Sequence, residues 1–174
     1  MYRYAIEELF KWKEKPKRKP MIIQGARHVG KTWLMKEFGK KAYTHTVYIN
    51  FEDNVTMEDL FSYDLDTNRL ITGIELYSGQ KIDPDNTLLI FDEVQEVPRA
   101  LTSLKYFNEN VPEYHIVCAC SFMGIDLHQG TSFPVGKVDL MNLYPLSYKE
   151  FLLATKQIDA LKDYYFVGGM PEAV

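Results

Sequence analysis

Cysteine is almost missing from this chain of 174 residues, which holds two, Cys118 and Cys120. They stand two apart in an apolar run, so on a strand they point to one face as small core residues. That spacing supplies no CxxC redox or zinc pair and no disulfide framework, and a reducing cytoplasm is the expected setting. His28, His45, His115 and His128 lack metal-ligand spacing and read as structural or solvent groups. No apolar run is long enough to span a membrane, and Met1-Tyr2-Arg3-Tyr4 lacks the apolar core of a signal peptide. A large excess of charge of either sign is also missing. The net charge of −4 gives no global argument for nucleic acid as a partner. No internal repeat or low-complexity tract is visible. What is left is enough chain for one compact domain with a sizeable core.

Against these absences one stretch stands out: Gly25-Ala26-Arg27-His28-Val29-Gly30-Lys31-Thr32. Two glycines bracket four residues, and Lys-Thr follows, as in a P-loop. Such a loop wraps backbone N–H groups around phosphate oxygens, and the next helix adds its positive N-terminal end. Lys31 can reach the β- and γ-phosphates, and the Thr32 hydroxyl can ligate Mg²⁺. The context fits. Met21-Ile22-Ile23 reads as a strand leading in, and Trp33 to Lys40 as a helix leading out.

The matching acidic motif lies at Asp92-Glu93, directly after the apolar run Thr87-Leu88-Leu89-Ile90-Phe91. Unbroken apolar character predicts a central parallel strand with both faces covered. The two acids then stand at its C-terminal end, where ligands bind in open α/β sheets. Asp92 is the candidate Mg²⁺ residue and Glu93 the candidate that polarises water. A second buried strand, His115 to Cys120, ends at Ser121. Its hydroxyl either reads the γ-phosphate or caps a loop.

Around these motifs, Tyr2, Ile6, Leu9 and Phe10 predict an amphipathic first helix. The basic run from Lys11 to Pro20 reads as a phosphate or nucleic-acid patch, or as a solvated linker whose prolines stop that helix. The linker is the expectation. Val47, Ile49 and Phe51 alternate as a strand, Met57 to Phe61 and Leu70 to Tyr77 predict two helices, and Asp83 to Asn86 a turn. Pro98 opens another helix. Ser121 to Gly136, with Gly124 and Gly130, reads as a loop, and Val138 to Leu143 as a last strand. Ser147 and Glu150 form a capping box, and Phe151, Leu152, Ile158 and Leu161 carry the helical pattern onward.

Together these stretches resemble the N-terminal module of the prokaryotic AAA-type ATPases that continue into a DUF4143 domain. Beyond the two motifs, the likeness rests on Arg3, Tyr48-Ile49-Asn50-Phe51, Val94-Gln95-Glu96-Val97-Pro98-Arg99, Phe133-Pro134-Val135-Gly136-Lys137, Tyr144-Pro145-Leu146-Ser147, Glu150-Phe151-Leu152 and Gly168-Gly169-Met170-Pro171-Glu172-Ala173. The resemblance implies an α/β three-layer P-loop NTPase of AAA/ASCE type, with a mostly parallel sheet in the order 5-1-4-3-2. It also implies ATP and Mg²⁺ as ligands, and a core over residues 1–144 followed by the start of a helical lid or winged-helix element at 145–174. The chain is expected to be a piece that relatives extend with DUF4143. Three departures stand out: His28 where Gln is usual, Cys120 before Ser121 in place of Gly, and Lys137 where Arg is frequent.

The expected site therefore comprises Glu93, Lys31 and Ser121 in the chemistry, Thr32 and Asp92 at the metal, and Gly25, Ala26, Arg27, His28, Val29, Gly30, Lys31, Thr32 and Trp33 around the nucleotide. Arg27, Arg69, Arg99 and Lys137 are the candidates for an arginine finger or its equivalent, and a finger from a neighbouring subunit would imply a homo-oligomer. An ATP-dependent switch with little turnover and a nucleic-acid-associated ATPase are the rival readings. No Asn-Lys-x-Asp guanine motif occurs.

Overall fold

The computed structural model describes residues 2–121 and 133–174. Its strands are β1 (Met21–Gly25), β2 (His45–Asn50), β3 (Thr87–Asp92), β4 (His115–Ser121) and β5 (Asp139–Asn142). All pair in parallel, in the order β2-β3-β4-β1-β5, which is the expected order read from the opposite edge. Helices α1 (Ala5–Lys13) and α2 (Lys31–Ala42) cover one face. Helices α3 (Val55–Tyr63), α4 (Thr67–Ser78) and α5 (Pro98–Asn110) cover the other, completing three layers.

The strand sequences account for both cores. β3 is buried along its whole length. Leu88 and Ile90 pack with α1 and α2, and Leu89 and Phe91 with α3 to α5. β4 divides the same way, with Val117 and Ala119 on the first side and Cys118 and Cys120 on the second. Burial raises both thiols, Cys120 to about 12, so they stay protonated core groups. Each fully buried Leu or Phe contributes about 1.5–3 kcal/mol.

The helices begin and end where their chemistry directs. Asn54 accepts from the Met57 N–H and Asp66 from the Arg69 N–H. α4 stops at Gly79 with φ 67°, and α5 opens on Pro98. α2 differs. Gly30 caps it without a side chain, and no acid lies in its first turn. Its first N–H groups are thus left for another acceptor.

Two expectations need correction. The basic run is not wholly a linker, because α1 continues through Lys13 and buries Trp12 beside Ile6 and Leu9, while Phe10 is exposed. The pattern through Ile158 and Leu161 is not one helix either. α6 (Tyr148–Thr155) carries the capping box but stops at Lys156, whose φ of 57° is left-handed. Ile158 is 99% exposed, and α7 (Leu161–Val167) starts afresh. Gly124, His128 and Gly130 lie outside the described residues.

Candidate functional site

Because the strands are parallel, their C-terminal ends share one edge, where Gly25 lies level with Ser121 and Asn50 with Asp92. The two P-loop glycines serve different needs there. A side chain at Gly25 would collide with the Leu143 carbonyl after β5. Gly30 has φ 93°, a left-handed turn that launches α2. His28 also takes a positive φ of 67° and sits on the exposed rim with Ala26 and Arg27, its Nδ1 2.6 Å from Glu172. Val29 is buried beneath the loop, and Trp33 packs half-buried on the α1–α2 core.

Lys31 is buried. Its ammonium donates to the Gly25 and Ala26 carbonyls at 3.0 and 2.9 Å and lies 3.4 Å from the Ser121 hydroxyl. Burial lowers its pKa, and the charges of Glu93 and Asp92 oppose that shift. Thr32 donates to Asp92 Oδ2 at 2.6 Å, and Tyr48 donates to the same oxygen at 2.9 Å. Asp92 Oδ1 is buried with no partner among the described residues. Glu93 stands in a left-handed turn, φ 50°, and its carboxylate accepts from Ser121 at 3.0 Å and from Gln95 Nε2 at 2.6 Å. Strain of this kind, of order 1–3 kcal/mol, persists where surrounding structure enforces it.

Five predicted residues, Lys31, Thr32, Asp92, Glu93 and Ser121, thus meet at the uncapped start of α2. Most of them line an open cleft of about 610 Å³, with Glu52, Pro171 and Glu172 on its other sides. Of the four cation candidates, Arg27 also lines it. Arg69 is instead paired with Asp64, Arg99 donates to the Phe61 carbonyl, and Lys137 pairs with Glu109. No cluster of three or more His, Cys, Asp or Glu that could cage a metal occurs among the described residues.

A family profile described as an AAA domain matches residues 17–152. The chain belongs to the AAA domain family. No curated protein matches it. Among solved structures, AMPPCP-bound DnaA from Aquifex aeolicus is similar over 97% of this chain and 56% of its own, with 15% identity and TM-score 0.59. The Aeropyrum pernix ORC1 protein in complex with DNA is similar over 87% of this chain and 47% of its own, with 12% identity and TM-score 0.49. At 15% identity the DnaA likeness concerns the fold, and this AAA domain spans about half the length of each neighbour.

Three residues of the AAA domain's site carry no role in the sequence reading. Arg3 lies behind the P-loop, where its guanidinium donates to the Val29 and Tyr144 carbonyls at 3.0 and 2.6 Å and lies 3.3 Å from buried Glu150. Gln95 holds Glu93 from two residues away. Tyr48 holds Asp92 from the neighbouring strand. A signal for Tyr48 existed: alternation sets it opposite Val47 and Ile49, and the implied strand order puts β2 beside β3. Arg3 was marked only by the family likeness and by no spacing or periodicity, since its partners lie 26 to 147 positions away.

Proposed function

We propose that this AAA domain binds ATP with Mg²⁺ and hydrolyses it. The observation that carries the reading is the convergence of Lys31, Thr32, Asp92, Glu93 and Ser121 at an uncapped helix start, with one Asp92 oxygen buried and unpartnered. Residues Gly25 to Trp33 cradle the phosphates. Lys31 leaves its loop carbonyls to neutralise phosphate charge. Glu93 orients the attacking water, and Ser121 reads the γ-phosphate. Thr32 and Asp92 fit Mg²⁺, which needs one or two protein oxygens beside the nucleotide's own. Bound there, the ion would offset the negative charge of the phosphates. That the DnaA of similar fold is AMPPCP-bound supports a nucleotide as the ligand.

Glu93→Gln tests the reading. It is expected to bind ATP as wild type does and to hydrolyse it about 10²-fold more slowly or worse. Unchanged hydrolysis overturns the role of Glu93. A switch with little turnover is favoured by one observation: Ser121 and Gln95 already hold the Glu93 carboxylate. A wild type that binds ATP but, like Glu93→Gln, is inert in hydrolysis favours that reading instead.

The nucleic-acid reading rests on the Lys11–Lys19 run, where Lys11 and Lys17 are exposed and the other four cations have partners within the fold. Lys13 donates to the Ala42 carbonyl, Lys15 pairs with Asp139, Arg18 donates to the Lys13 carbonyl, and Lys19 to the Gly136 carbonyl. A finger from a second copy, a lid beginning at residue 145 and a following DUF4143 domain belong to the same proposal and rest on the family resemblance.

A further inference from the structure

The Asp92 carboxylate is loaded on one side only. An ionised carboxylate oxygen accepts about two hydrogen bonds. On Oδ2 both places are filled, by Thr32 from α2 and by Tyr48 from β2. Oδ1, which is buried, has neither. The free acceptor capacity of this acid is therefore on Oδ1, and two hydroxyls from different elements keep the carboxylate from turning. Tyr48 is well placed to do this steadily. It lies half-buried, and Lys36, one turn beyond Thr32 on α2, sits 3.6 Å from its ring centre.

We propose that Tyr48 is a positioning residue for the divalent cation: by holding Oδ2 it presents Asp92 Oδ1 to the ion or to one of its waters. The proposal rests on the ATP·Mg²⁺ reading of the site. Groups that orient a metal ligand typically change metal affinity by about 10- to 100-fold when removed. Tyr48→Phe removes the hydroxyl alone and keeps the ring under Lys36.

The test needs no turnover. Mn²⁺ binding is titrated by the loss of its free electron-spin resonance signal, with a non-hydrolysable ATP analogue present. Binding of that analogue is measured separately in EDTA. Tyr48→Phe is expected to bind Mn²⁺ about 10- to 100-fold more weakly, with analogue affinity in EDTA unchanged. Mn²⁺ affinity equal to wild type overturns the proposal. An equal loss of analogue affinity in EDTA also overturns it, because the hydroxyl then supports the pocket and not the ion. A wild type that binds no Mn²⁺ with the analogue overturns the underlying reading, and this inference with it.

Discussion

Arg3 and Glu150 form a buried pair, each less than a tenth exposed, and Glu150 also accepts from the Tyr4 N–H and caps α6. Removing one partner of such a pair strands the other charge in a low dielectric, at a cost of about 3–5 kcal/mol. Arg3→Met is thus expected to lower unfolding free energy by that amount in urea titration, and Arg3→Met/Glu150→Met to regain part of it. A single variant within about 1 kcal/mol of wild type would show that the pair is dispensable. At this scale the sequence was legible where a residue's role is local. Gly30, Lys31, Thr32, Asp92 and Glu93 declare themselves by spacing. Arg3 acts on groups 26 to 147 positions away that only folding brings near, and Gln95 reaches Glu93, two residues before it, across the left-handed turn at Glu93, which no spacing rule signals.

Elements were legible in proportion to the regularity of their burial. β3 and β4 are covered on both faces, so their sequences are unbroken apolar runs, while α4 carries caps at both ends, α5 opens on Pro98, and both have an apolar stripe. α6 and α7 were misjoined because Ile158 and Leu161 continue a helical period that the left-handed Lys156 breaks. The junction of α2 with β4 gives a test at this scale. His115, at the start of β4, lies edge-on to Trp12 and Tyr43, and the Tyr43 hydroxyl is 2.5 Å from its Nδ1. Burial first, then Arg18 and Lys13, push His115 down to about 4 from 6.5. The unfolded chain therefore takes up this proton before the folded one does. The stability it contributes is present above pH 6.5 and is lost as pH falls through about 4. Wild type is expected to lose more unfolding free energy across that window than His115→Phe. Parallel profiles for the two proteins would contradict this.

The molecule as a whole has an unequal surface. The three-layer core is closed, yet Ile158, Tyr165 and Phe166 on the α6–α7 side are 99%, 79% and 92% exposed. Such side chains bury almost nothing within the described fold, so Ile158→Ser and Phe166→Ser are each expected to leave unfolding free energy within about 0.5 kcal/mol and to reduce self-association in light scattering. A loss of about 2 kcal/mol or more would mean that these residues pack in solution. The open cleft lies at the shared end of the parallel strands, where the P-loop, β3 and β4 bring Lys31, Asp92, Glu93 and Ser121 together.

The most direct test of the proposed chemistry is Mg²⁺-dependent ATP hydrolysis across a range of protein concentrations, with Lys31→Ala as the blank. Turnover above the blank that disappears in EDTA is expected. Wild type equal to Lys31→Ala at every concentration, with no ATP bound by either, would contradict that chemistry.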